Sequence, residues 1–486
     1  MMIKRFLLSS LLFIPMLFLP ALSYGETAAT SYAANSVCPV DSTWLSSPSL
    51  PTEVKKSDGK DSNFCDFYQF STQTFLYLMS PSASDSKVRN FQVQANFPVL
   101  EFNGDGTPAD SCDDVIIGPT LRTGLDKSGL STGQAGGGAT IYAQDRNVVY
   151  YDVRFDRATC KQTASAVKMN AANQINFSAG TMELKFAWKK LSTAEINSNT
   201  FVTQAAPSIS GVLGLVGMHI AVATEDHPEF VWATYEHKIN SPDCAFPNVK
   251  TDTSWMFASA SCAAGLPETA KKGNSCNFNN PKSKQTEPMG TPTNICRVHP
   301  YGTASGDHKA AENLADVMAQ NAGMLALYDK PSTAASMQLL KNYFNVGALW
   351  VSDITKNSGG IGVPNERGSL RLANTVAETD YQHVNLNNDF ASNCFGCHNY
   401  QGTSEQPSNN ITSQALSHIF KDIKFGQGLA IDASTSSIIT GNGAAPAICA
   451  ATCNGLVSYN GKKPSWNGQW TNINLSAGSV CGCELK

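Results

Sequence analysis

The chain has 486 residues, of which 15% are charged and 42% hydrophobic, with a formal charge of -4, long enough for more than one domain. Lys462 and Lys463 are a pair and not part of a basic stripe, so the composition excludes a nucleic-acid binder, whose affinity rests on neutralising phosphates. Beyond residue 25 no apolar run is long enough to span a bilayer, so no transmembrane segment is expected in the mature chain.

Residues 1–25 read as a secretory signal peptide. Lys4 and Arg5 precede an apolar run from Phe6 to Leu22, Pro15 and Pro20 interrupt it, and small residues follow at Ser23 and Gly25. Losing Lys4 and Arg5 takes the charge from -4 to -6. A periplasmic or secreted location follows.

Residues 26–60, rich in Ser, Ala, Pro and Lys, are expected to be a loosely ordered entry segment. From Asn63 to Met79 the residues Phe64, Phe67, Tyr68, Phe75, Leu78 and Met79 recur at helical spacing, and Pro81 closes the helix. Between about 88 and 240 the pattern alternates. Val149, Tyr151, Val153 and Phe155 share a strand face, as do Leu184, Phe186 and Trp188, and Gly211–Thr224 and Phe230–Lys238 also read as strands. Residues 241–305 are turn-rich and carry four cysteines. Helical spacing returns at Leu314, Val317, Met318 and Leu325, again from Ala334 to about Val351, and over Ser413–Lys424. After Gly426 small and polar residues dominate. The expected architecture is α+β: a β-rich body with flanking helices over 61–426, and a small disulfide-stapled β module over 427–486.

Cys394-Phe-Gly-Cys397-His398 carries the chemistry. In C-x-x-C-H the two thiols add across the vinyl groups of a haem, and the histidine after the second cysteine becomes the proximal iron ligand. A thioredoxin-like pair would need a βαβ context with the first cysteine at a helix N-terminus, but this motif lies among Asn387, Asn388, Asp389, Asn399 and Gln401. A zinc knuckle would need a second ligand pair nearby. The expected cofactor is therefore one covalent haem c. The remaining twelve cysteines form an even set, which fits six disulfides in an oxidising compartment. Sequence order suggests Cys38–Cys65, Cys112–Cys160, Cys244–Cys262 and Cys276–Cys296, with Cys449, Cys453, Cys481 and Cys483 as a separate group.

No methionine follows residue 337 to fill the sixth iron position as in small soluble cytochromes c. His219 is the first candidate, because it shares a strand face with Leu215, Gly217, Ala221 and Ala223, small enough to admit a flat macrocycle, while Val216, Met218, Ile220 and Val222 point the other way. His237 is second and His418 third. An open sixth position is the alternative.

Gly214-Leu-Val-Gly-Met-His219-Ile, Phe230-Val-Trp-Ala-Thr-Tyr-Glu236-His237, Glu183–Trp188, Leu372-Ala-Asn-Thr and the haem motif together resemble a group of exported proteobacterial cytochrome c family proteins. The resemblance spans much of 60–425 and implies attachment of a single haem, with His219 and His237 as ligand candidates. It names no substrate.

Cys449-x3-Cys453, Trp466-Asn-Gly468-Gln469-Trp470-Thr471 and Cys481-Gly-Cys483 resemble the mannan-binding lectin module of cyanobacterial type. In that family the segment between and including the two tryptophans helps shape an oligomannose site, and an aromatic face suits the apolar face of a sugar ring. The Gly-Pro-aromatic-Trp-Asn stretch of the family is missing here, where Ile431–Gly441 contains no tryptophan. The leading expectation is an exported haem protein with an electron-transfer or other redox role and an unidentified redox partner. The alternative is a secreted protein that binds mannose-rich glycan, its haem structural or absent.

Overall fold

Alternation in the middle of the chain produces one antiparallel sheet, and the two faces of that sheet are covered differently. A computed structural model describes residues 38–93, 96–97, 139–159, 161–162, 177–205, 211–245, 254–281, 290–352, 366–379, 382, 393–398, 417, 430–435, 437–456, 464–474 and 478–485. The signal segment, Cys112–Cys160 and His418 lie outside them, as does Ser413–Lys424 apart from Ser417.

Helix α1 (Phe64–Met79) starts where Asn63 and Asp66 cap it reciprocally: the Asn63 side chain accepts from the Asp66 N–H at 3.0 Å, and the Asp66 carboxylate accepts from the Asn63 N–H at 2.9 Å. Strands β1 (Val149–Phe155) and β2 (Met182–Lys190) follow, then helix α2 (Thr193–Ser198) and strands β3 (Thr203–Ala205), β4 (Val212–Val222) and β5 (Val231–His237). Helix α3 (Ala310–Tyr328) precedes β6 (Tyr343–Val351) and β7 (Glu366–Gly368). The strand order is β1-β2-β4-β5-β6-β7, with β3 beside β4 and all pairings antiparallel.

One sheet face, with Phe186, Trp188, Met218, Ile220, Ala233, Tyr235 and Trp350, is covered by α1 and α3. Phe67 stacks on Trp350 at 3.8 Å and Phe75 on Tyr235 at 3.9 Å between ring centroids. The other face carries two further apolar clusters, covered by residues outside the strands such as Leu370, Leu372, Val376 and Phe395. The motif lies on this second side.

Several expectations need correcting. Residues 38–60 are not loose: Cys38 and Val54 are buried, Trp44, Leu45 and Leu50 pack on the main core, and Cys38–Cys65 ties the segment to α1. Residues 334–351 are not one helix, because only Ala335–Gln338 and the 3-10 turn Leu339–Asn342 are helical before β6 begins. Strand β6 is buried on both faces, so its apolar run has no period-2 signature. In β4 the register passes from Ala187↔Gly217 to Trp188↔Leu215, which makes Val216 a bulge residue. Leu215 therefore joins Met218, Ile220 and Val222 on the helix-covered face, while Val216 packs on the other side with Tyr151 and Ala187.

The turn-rich excursion is stapled by Cys244–Cys296 around Cys262–Cys276, so the order-based pairs Cys244–Cys262 and Cys276–Cys296 are wrong. Asn279 and Asn294 tie segments of this excursion together by donating to the Cys296 and Cys276 carbonyls at 3.0 and 2.8 Å.

The C-terminal residues form their own small unit. Strands β8 (Ala430–Ser434), β9 (Pro464–Asn474) and β10 (Gly478–Leu485) pair antiparallel in the order β8-β10-β9. The motif turn Cys394–Cys397 is α4, and the helix of this unit, α5 (Ala445–Asn454), is bonded to β10 through Cys449–Cys481 and Cys453–Cys483. Such a small unit buries too little surface to rely on apolar packing alone, and the two cross-links make up for it. Among the described residues no helix is long and apolar enough to cross a membrane.

Candidate functional site

Residues Cys394–Cys397 form a single helical turn, α4, closed by the His398 N–H donating to the Cys394 carbonyl at 2.8 Å. Positions 394 and 397 thus lie one turn apart, with His398 directly after. Phe395 anchors the turn. It is fully buried and meets Trp232 of β5 edge-on, with ring centroids 5.9 Å apart. The His398 ring lies against the same indole at 4.5 Å. Cys394 is partly buried at the edge of the cluster containing Trp232, Leu349, Val351 and Leu370.

Asn393 holds the start of the turn. Its side-chain amide donates to Glu366 Oε2 at 2.9 Å and to the Leu370 carbonyl at 3.0 Å. Glu366 is fully buried, and its Oε1 has no hydrogen-bond partner among the described residues. Burial pushes its carboxyl up to about 8, with the Asn393 amide opposing the rise.

His219 lies on the same sheet face as Trp232. Trp232 pairs with Ala221, two residues beyond His219 on β4, so the two side chains occupy neighbouring rows on adjacent strands. His219 Nε2 is 2.8 Å from Glu378 Oε1, and Lys185 Nζ is 3.6 Å from the same oxygen. Lys185 is the β2 residue opposite His219. Burial raises the Glu378 carboxyl, but His219, Lys185 and the Asn374 N–H outweigh it and hold the group down to about 2. The small residues near His219 do not leave an open slot at Gly217: a Cβ there would lie 2.8 Å from both Asn374 Oδ1 and Val376 Cγ2. The Asn374 amide also donates to Thr234 Oγ1 at 2.9 Å and to the Tyr235 carbonyl at 3.1 Å. Here the glycine makes room for the protein's own polar network.

His237 is not brought to this face. Along β5 it continues the side of Val231, Ala233 and Tyr235, opposite to Trp232. Its Nε2 lies 3.2 Å from the Thr200 carbonyl and its Nδ1 3.5 Å from the Ile239 N–H, while its ring stacks on Phe201 at 4.3 Å. Burial holds it down to about 3, so it is a neutral ring committed to local packing. Its neighbour Glu236 does face the motif side, where it binds Arg297 at 2.6 Å and the Thr375 N–H and hydroxyl at 2.7 Å each.

In the C-terminal unit, β9 and β10 pair at Trp466↔Cys483 and again at Trp470↔Cys481, so Asn467, Gly468 and Gln469 bulge outward between them. Gly468 takes φ +95°, a conformation that favours glycine. Asn467 Oδ1 accepts from the Gln469 N–H at 2.9 Å, and Trp466 Nε1 donates to the Gln469 carbonyl at 2.8 Å. Trp470 Nε1 donates to Asn442 Oδ1 at 3.1 Å. Both tryptophans are half-buried, whereas Gly468, Gln469 and Thr471 are exposed.

The sequence singled out Cys394, Cys397, His398 and His219, and it missed Trp232, Glu366, Asn393, Lys185 and Glu378. Trp232 and Lys185 lie inside segments quoted for the resemblance, and Asn374 stands four residues before Glu378, but nothing in the sequence joins these residues to the motif, because a partner brought in from a distant part of the chain leaves no local period. Among the described residues no group of three or more His, Cys, Asp or Glu is arranged to hold a metal ion. No protein-family model matches the chain, and neither does any curated protein or solved structure.

Proposed function

We propose that this chain is an exported redox protein carrying one haem c on Cys394, Cys397 and His398. The observation that carries this reading is the C-x-x-C-H turn itself, anchored by a buried phenylalanine and with its histidine ring laid against Trp232. The residues fit the group: cysteines three positions apart on one turn, an imidazole directly after, an apolar wall, and an unpartnered buried carboxyl oxygen beside the turn. Once bound, the haem would supply one-electron chemistry at its iron. Trp232 and Phe395 exclude water and fix the orientation of His398. Lys185 and Glu378 set the charge around His219, which would offer Nδ1 to a metal because its Nε2 faces the carboxylate. Five disulfides among the described residues are consistent with an oxidising compartment, which supports export.

The test is maturation in a host with c-type haem machinery, followed by acid-acetone extraction of the denatured protein. Haem should stay with the polypeptide, and the double variant Cys394→Ser, Cys397→Ser should lose it. A wild-type chain that folds without colour would refute the reading. A second reading concerns the C-terminal unit alone: the Asn467–Gln469 bulge, with Gly468 and Gln469 exposed between two half-buried tryptophans, supports a site for mannose-rich glycan. Retention of the full-length protein on a mannan column tests it, and passage through the column without delay counts against it.

A further inference from the structure

Glu366, the buried carboxyl beside the motif, has no role yet in the chemistry proposed above. It is completely buried on β7, pairs across the sheet with Val351, and among the described residues its carboxyl receives a hydrogen bond only from Asn393, the residue immediately before Cys394. Its Oε1 has no donor among the described residues. Val351 and Leu370 on either side belong to the apolar cluster that also seats Phe395 and Cys394. In such surroundings a charged carboxylate with one donor is poorly compensated, and the protonated acid is the cheaper form. Among the described groups, burial and the Asn393 amide are what act on its protonation. A change of one charge nearby is weakly screened in an apolar interior, so the acid should respond to it.

We propose that Glu366 exchanges a proton with solvent in step with the oxidation state of the site at Cys394–His398. This rests on the haem reading above. Glu366 takes up one proton as the site gains one electron from a one-electron donor, and releases it when the electron leaves, so the net charge of the pocket stays constant through the cycle.

The experiment is a redox titration of haem-loaded full-length protein at a series of pH values, with Glu366→Gln as the near-isosteric comparison. In the wild type the midpoint potential should fall with rising pH below about pH 8, approaching the tenfold-per-unit limit of ~59 mV for one proton per electron. Glu366→Gln should lose that segment. Asn393→Leu, which keeps the carboxyl but removes its donor, should move the segment to higher pH, and it decides the matter if the glutamine variant does not fold. Identical pH dependence in the wild type and in both variants would overturn the proposal while leaving the haem reading intact. A chain that matures without haem would overturn both.

Discussion

Replacing Asp316 by Asn should stabilise the protein at neutral pH, although Asp316 is a buried polar residue facing the helix pair. Asp316 on α3 and Asp66 on α1 are both buried, and the Oδ1 of each has no hydrogen-bond partner among the described residues. Burial and the charges of Glu312 and Asp66 push the Asp316 carboxyl up from 3.8 to about 6, with Lys309 opposing. A group raised in this way favours the folded state fully below about pH 4, and that contribution is lost as the pH rises through 6. The whole rise corresponds to about 3 kcal/mol of lost stability at pH 8, at about 1.4 kcal/mol per pH unit. Exposed Glu312 and Lys309 show that solvent reaches this end of the helices, and screening brings the expected effect to about 2 kcal/mol. Urea unfolding followed by near-ultraviolet circular dichroism, at pH 4 and pH 8, measures it. Asp316→Asn should match the wild type at pH 4 and unfold at higher urea at pH 8. An equal difference at both pH values would refute the electrostatic reasoning, because loss of packing does not depend on pH.

Lys189 is buried between Asp145 at 2.6 Å and Glu195 at 2.7 Å, so Lys189→Met leaves two carboxylates without their cation and should cost about 3 kcal/mol or more in urea unfolding. Gly217→Ala drives a methyl group to 2.8 Å from Asn374 and Val376, and should destabilise by about 1–3 kcal/mol on the same assay. Trp470→Ala should release full-length protein from mannan resin, while mass spectrometry still finds Cys449–Cys481 and Cys453–Cys483 closed.

The helix at 64–79 was legible from its helical period, and the strands at 149–155 and 182–190 were legible because Asp152, Arg154, Glu183 and Lys185 alternate with apolar residues, although both faces of these strands are buried. Tyr343–Val351 was not, because burial on both sides erases the alternation. The side-chain assignment around His219 went wrong at Leu215, where one bulged residue reverses the faces of everything before it. At the candidate site, Cys394–His398 announces itself because its chemistry requires fixed spacing. The residues that hold it, Trp232, Glu366 and Asn393, come from separate parts of the chain and are joined only by folding. His237 was misleading for the same reason: next to Glu236 in sequence, it lies on the opposite face of the sheet.

The nested pair Cys244–Cys296 and Cys262–Cys276 has a covalent consequence for the excursion it encloses. Hydrolysis of any one peptide bond from residue 245 to 295 leaves both halves of the chain joined, and a cut between 263 and 275 is bridged twice. A protease that nicks this region would give a molecule of unchanged mass on a non-reducing gel and two fragments once thiol is added. The excursion can therefore be cut once in a protease-rich environment without either half being released.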